Sequence, residues 1–228
     1  MEKNSQIQKE YWHKEHTDRR SIDHPAVKAF FKDKAEALKV LLPSEKINSI
    51  LDCGCGNGFF QTYLSQIFCK ELVGLDFSNV MLDLNPNKEK ICASVLDIPC
   101  KNSSFNLVVC HGLLHHLNEE SRLRALLEMK RVSSKYIFIG EPNLDNLLIR
   151  VNALLNSEER MTLSLSYKRL ESLARECDLK IIKMFKRGVI MPNKTPLIIL
   201  PLLKRLEGSW FSSSYGHCTY MLLEKKST

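Results

Sequence analysis

Ser49-Ile50-Leu51-Asp52-Cys53-Gly54-Cys55-Gly56-Asn57-Gly58-Phe59-Phe60 decides how the rest of the chain is read. A short apolar run ends in an acid, three glycines alternate, and Phe59, Phe60, Tyr63, Leu64 and Ile67 then recur at helical spacing. That is the pattern of a buried strand, a glycine turn and a helix. Glycines permit positive φ and let a ligand approach bare peptide groups, while a helix start offers free N–H donors and partial positive charge. The register is G-x-G-x-G, with Phe59 standing where a dinucleotide fingerprint needs its third glycine. No Gly-Lys-Ser/Thr follows, so a Walker phosphate loop is excluded as well. Asp52, just before the first glycine, suits a cationic ligand better than a pyrophosphate. Taken by itself, the stretch also fits a plain glycine turn in an α/β protein.

Outward from this stretch the same unit repeats. Residues 71–76 form a second buried strand ending at Asp76, and 78–84 a short helical piece. Residues 90–95 make a third strand, followed by Leu96-Asp97-Ile98-Pro99. A fourth, 105–110, opens into His111-Gly-Leu-Leu-His115-His116-Leu. Asn118 caps a helix running through Val132, with Glu119 and Glu120 in its first turn and Lys130 and Arg131 in its last, as the macrodipole favours. A fifth strand, 135–139, ends at Gly140-Glu141-Pro142. Helices at 144–155 and 166–177, a sixth strand at 179–186 and a last strand at 217–224 complete the body. Upstream, 1–20 is a polar arm holding Tyr11, Trp12, His13 and His16. Residues 21–43 read as a helix, with Asp23 as its cap and Pro25 in its first turn. Strands alternating with helices give a mainly parallel sheet whose ligand lies at the strands' C-terminal edge. Asp52, Asp76, Asp97 and Glu141 all fall at that edge.

A length of 228 residues suits one α/β domain, 45–228, behind an N-terminal arm and helix, 1–44, that covers the site. Hydrophobic residues at 44% and charged residues at 26% are ordinary for a globular protein. The first residues are polar and unlike a signal peptide, and no apolar run can span a bilayer, so a cytoplasmic location is expected. Eight cysteines occur without a C-x-x-C, mostly in apolar runs, which favours reduced structural thiols. Cys53 and Cys55 have a spacing seen in some metal sites, yet the loop has a better use and no metal is expected. The net charge of +7 is concentrated beyond Pro142, where an acidic substrate, a lipid headgroup or RNA could exploit it. A solvated basic surface is the commoner explanation.

The ordered set of motifs resembles the class I S-adenosylmethionine-dependent methyltransferases, particularly their small-molecule, ubiquinone/menaquinone-type branch. Leu51-Asp52-Cys-Gly54-Cys55-Gly56-Asn-Gly58 is similar to that family's first motif, and Val73-Gly-Leu-Asp76-Phe77-Ser78 with Met81 to its second. Leu96-Asp97-Ile98-Pro99 resembles the third and 105–110 the fourth, except that Asn106 stands where an Asp is usual. The resemblance is strong over roughly 45–143. It implies a Rossmann-like three-layer α/β sandwich, with a seven-stranded, mostly parallel sheet and an antiparallel last strand between the fifth and sixth. It further implies a loop of Gly54, Cys55 and Gly56 under the methionine part of S-adenosyl-L-methionine, with Asp52 near the ammonium. Asp76 would accept both ribose hydroxyls. Phe77 and Met81 would pack on the nucleoside, Asp97 and the Ile98 N–H would read the adenine, and the Cys110 carbonyl would face the ammonium. S-adenosyl-L-homocysteine would be the product.

Each acid also has a local explanation. Asp76 can cap a helix, Asp97 can serve the turn before Pro99, and Asp52 can bond the loop amides. For the acceptor, His111 and His115 are the candidate bases, His116 is expected to point elsewhere, and Glu141 either orients substrate or caps the next segment. The expected acceptor is a small molecule offering an O, N or C nucleophile, lipid-linked or acidic among the options. Nucleic acid is not the expected partner, although an RNA methyltransferase and a non-catalytic cofactor-binding subunit stay open. The Pro-rich stretch 188–216 is read as a substrate-region insertion, with a dimer contact or plain core as alternatives. Monomer and homodimer are equally open, as is peripheral membrane contact.

Overall fold

The computed structural model describes residues 10–12, 20–42, 47–68, 71–156 and 160–226. Seven strands form one sheet: β1 (Ser49–Cys53), β2 (Glu71–Asp76), β3 (Lys90–Cys92), β4 (Phe105–His111), β5 (Ser133–Pro142), β6 (Leu179–Arg187) and β7 (Cys218–Lys225). Their order is β3-β2-β1-β4-β5-β7-β6, with β7 antiparallel to both neighbours and every other pairing parallel. The fold is the doubly wound sandwich that the motif order implies. The order reverses between β1 and β4, and the crevice beyond that switch point is where such sheets bind ligands.

Alternation along the central strands sends side chains to two separate cores. Leu51, Cys53, Val108, Cys110, Ile137, Ile139, Met221 and Leu223 pack beneath α4 (Glu119–Val132) and α6 (Tyr167–Glu176). Ile50, Leu107, Val109, Tyr136, Phe138, Tyr220 and Leu222 face the other way, against α1 (Pro25–Leu41) and α2 (Phe59–Phe68). Both faces of the sheet are therefore dry, which is why its strands read as continuous apolar runs. Each fully buried Leu, Ile or Phe contributes about 1.5–3 kcal/mol.

The short α3 (Asn79–Asp83) is capped by the Ser78 hydroxyl, which accepts from the Met81 N–H. Asn118 caps α4 as expected, its side chain accepting from the Ser121 N–H. Asp23 does not cap α1. Pro25 occupies the first helical position, so the capping place falls to His24, whose Nδ1 accepts from the Ala26 N–H, and Asp23 pairs with Lys28 instead. The third strand stops at Cys92, because the chain turns through Ser94 to Asp97, and the fifth strand extends at both ends. Beyond β5, Asn146 caps α5 (Leu147–Leu155). The stretch 188–216 holds two short helices, α7 (Leu200–Leu206) and α8 (Trp210–Tyr215). Its Ile190 and Leu200 pack on Ala26 of α1, so it lies behind that helix. His13 and His16 lie outside the described residues.

Gly140 on β5 is a close-approach position. A Cβ there would stand 2.7 Å from His111 Cδ2 and 2.9 Å from Tyr220 Cε1. Gly140→Ala is expected to destabilise the chain by about 1–3 kcal/mol through overpacking. Urea unfolding checks it, and an unchanged midpoint would show that His111 and Tyr220 have room to move.

Candidate functional site

The turn after β1 is folded down onto β2. The Gly54 and Cys55 N–H groups both donate to the Leu75 carbonyl, at 2.7 and 3.1 Å. Gly54 and Gly56 take φ of 74° and 51°, a region that side-chain-bearing residues rarely adopt. Asp76, at the tip of β2, holds the turn in place. Its Oδ2 accepts from the Gly56 N–H at 2.9 Å and its Oδ1 from the Ser78 N–H at 2.9 Å. Behind the loop, Asn85 Nδ2 donates to Gln61 Oε1 at 2.7 Å and reaches the Gly56 carbonyl at 3.4 Å. Both side chains are buried, and both were missed in the sequence. A glutamine on the inward face of a helix was the available signal.

Asp52 is the unusual group. It is buried, and its Oδ2 has no hydrogen-bond partner among the described residues. Burial first, and the neighbouring Asp76 second, push its carboxyl up to about 7. An unpaired buried carboxylate oxygen at the mouth of a glycine turn is complementary to a cation.

A cavity of about 760 Å³ opens over this turn, within the range of small-molecule sites. It is walled by Asp52, Gly54, Cys55, Gly56, Asp76, Phe77 and Met81, and by the run from Ala93 to Leu96. Aromatic rings add to the lining, with Trp12, Phe31, Phe59, Phe60, His111 and His116. Trp12 comes from the N-terminal arm. Its carbonyl accepts from the Ser78 hydroxyl at 2.6 Å, and its ring stands edge-on to His116 with centroids 5.4 Å apart. The arm and α1 thus close one side of the cavity through Trp12 and Phe31.

Three residues expected to hold the cofactor, Asp97 and Ile98 at its adenine and Cys110 at its ammonium, are not among those lining the cavity. Asp97 is exposed and closes the turn with Ser94, its N–H donating to the Ser94 carbonyl. The Ile98 N–H is taken by Glu128 Oε2 at 2.8 Å. Cys110 is buried within β4 in register with Cys53 and Ile139. The chain just before Asp97 lines the cavity instead, and Ser94 carries the polar side chain of that run.

The histidines exchange places relative to expectation. His115 is buried outside the cavity, with Nδ1 2.6 Å from Glu141 Oε2. Glu141 does not line the cavity either. Its carboxylate accepts from the Leu113, Leu114 and His115 N–H groups, so it caps the turn that follows β4. Arg122, also buried, fastens the same turn by donating from Nε to the Leu114 carbonyl at 2.9 Å. His116, expected to point away, lines the cavity. The turn is a 3₁₀ segment, Leu114–His116, in which successive side chains point about 120° apart.

His111 also lines the cavity, and its Nε2 is met from behind by Lys34 Nζ of α1. Lys34 is buried, with Nζ 3.1 Å from the Phe30 ring centroid. Burial drives this amine down to about 8. Burial and then Lys34 lower His111, which leaves a neutral imidazole in the cavity wall at neutral pH. The stretch 188–216 contributes nothing to the lining, so the substrate-region insertion expected there does not reach the cavity.

Residues 51–136 match the family model for a methyltransferase domain. An uncharacterised protein of Methanocaldococcus jannaschii is 35% identical over 91 residues, 36% of this chain and 35% of that protein. The Mus musculus protein named probable tRNA methyltransferase 9B is 27% identical over 119 residues, covering 51% of this chain and 24% of that protein. The chain therefore spans about a quarter to a third of these relatives' length. Among solved structures, a SAM-dependent methyltransferase from Thermotoga maritima superposes with a TM-score of 0.65 at 18% identity, covering 88% of this chain and 92% of its own. The switch-point cavity and the acid-tipped strands thus lie largely within the stretch that matches a methyltransferase domain, on a fold shared with the Thermotoga structure.

Proposed function

We infer that the chain methylates a small, uncharged acceptor held against the aromatic side chains of the cavity. The observation that carries this reading is that neither Lys nor Arg lines the cavity among the described residues, while aromatic side chains line much of it. Among the described residues an acidic acceptor would find no cation in that wall.

Bound there, S-adenosylmethionine supplies an electrophilic methyl on a positively charged sulfur. This chain's residues fit it. Asp52 Oδ2 offers a buried, unpaired acceptor to the cationic end, and the glycine turn leaves backbone exposed beside it. Asp76, a carboxylate oriented by two N–H groups at the cavity wall, is the acceptor for the ribose hydroxyls. Phe77 and Met81 give apolar surface, and the Ser94 run closes the far wall. Trp12 and Phe31 exclude water, so alignment of the acceptor carries the rate. His111, whose Nε2 is already engaged by Lys34, orients the acceptor, and a proton that must leave passes to solvent. A second reading, methylation of RNA, is favoured by one observation, the mouse relative's name. Incubation of the chain with labelled S-adenosylmethionine and cell extract separates the two. Label in the small-molecule fraction is the expected result, and label in RNA alone would replace this reading by the second.

Asp76→Ala is expected to weaken S-adenosylhomocysteine binding at least about tenfold, since a charged acceptor contributes roughly 1.5–3 kcal/mol. Calorimetry measures it, and an unchanged affinity would remove Asp76 from the site.

Asp52 gives the binding a pH dependence. Its folded pKa of about 7 lies above the ordinary 3.8, so its ionisation costs folding stability as pH rises through that interval. A cationic ligand that requires the ionised form must displace a proton below about pH 7. Affinity is therefore expected to fall towards acid, approaching tenfold per pH unit, and Asp52→Asn is expected to flatten the profile. Parallel profiles for the two proteins would contradict the assignment.

A further inference from the structure

Helix α5 is built inside out. Leu147, Leu148, Val151, Leu154 and Leu155 share one face at helical spacing, and that face looks into solvent, with exposures from 43% at Val151 to 78% at Leu155. Ala153 is its one buried residue. A surface helix normally turns such a stripe towards the core. The adjoining stretch 188–216 also exposes Leu197, Ile198, Leu202 and Trp210, each by more than half. Two hydrogen bonds join it to α5: Lys194 Nζ to Asn152 Oδ1 at 2.5 Å, and Asn146 Nδ2 to the Tyr215 carbonyl at 2.6 Å. Contiguous apolar surface on this scale marks an interaction site.

The charges around it choose the partner. Arg150, Lys194, Lys204 and Arg205 are exposed on these same elements. The acid of 188–216, Glu207, is turned inward, its Oε1 accepting from the Val189 and Ile190 N–H groups. Glu158 and Glu159 follow α5 in the sequence and lie outside the described residues. The stretches of the sequence outside the described residues, 1–9, 13–19 and 157–159 among them, are mainly polar in composition. A second copy related by a two-fold axis would set these cations against themselves. An RNA would leave the leucines wet.

We propose that this face docks on an anionic phospholipid bilayer. The leucines and Trp210 enter the boundary between headgroups and acyl chains, and the four cations meet the headgroups. Among the described residues no helix is long and apolar enough to cross a membrane, so the contact is peripheral. This assignment stands whether or not the acceptor reading above survives.

The test is sedimentation of the full chain with vesicles of phosphatidylcholine alone or mixed with phosphatidylglycerol. Binding to the mixed vesicles is expected to be at least about tenfold tighter and to weaken with salt. The double substitution Leu148→Asp with Leu155→Asp should reduce it at least about tenfold, while S-adenosylhomocysteine binding is retained as the check on folding. Lys204→Glu with Arg205→Glu should abolish the preference for anionic vesicles and leave the apolar face intact. Failure to pellet with the mixed vesicles, or equal pelleting with both kinds, overturns the proposal. So does a solution dimer that the leucine substitutions dissociate, or retention on RNA without vesicle binding.

Discussion

Two carboxylates buried at the tips of adjacent parallel strands set the terms for everything around them. Asp52 and Asp76 lie at the ends of β1 and β2, and each has been taken out of water by the turn that separates them. The chain satisfies one and not the other. Asp76 is held by two backbone N–H groups, and that bonding shapes the glycine turn. Asp52 keeps an oxygen unpaired and carries a raised pKa as a result. A buried polar group without a partner costs roughly 1–3 kcal/mol, a cost that a fold sustains where a ligand repays it. The cavity over Asp52 is therefore one that a cation completes.

The rest of the architecture supplies the walls. The reversal of strand order opens the crevice, α1 and the N-terminal arm roof it with Phe31 and Trp12, and the 3₁₀ turn after β4 presents His116. That turn is rigid because Glu141 gathers its three N–H groups and Arg122 takes its carbonyl. Glu141 and His115, candidates for chemistry by their position at the sheet edge, are the frame on which the cavity-lining His111 and His116 are mounted.

Much of this was legible in the residues. The apolar runs located the central strands because both faces of the sheet are covered, and the acids of 52 and 76 marked strand tips because nothing else in a dry strand would tolerate them. The ends of α4 followed from Asn118 and the charges of its terminal turns. What stayed hidden depended on the third dimension. Asp97 reads as a strand-tip acid only if β3 continues to Val95, and the chain instead turns three residues early. Adjacent histidines cannot be told apart until the turn type is known. The cap at His24 was readable, since Pro25 at the first helical position leaves it no other place. Nothing local in 188–216 says that it packs behind α1 and away from the cavity.

The most direct test of the account is a carbon-13 NMR titration of the Asp52 carboxyl, with and without S-adenosylmethionine. The account predicts a midpoint near pH 7 in the free protein and a fall of at least about one unit when the cofactor binds. A midpoint at the ordinary carboxylate value, unmoved by the cofactor, would contradict it.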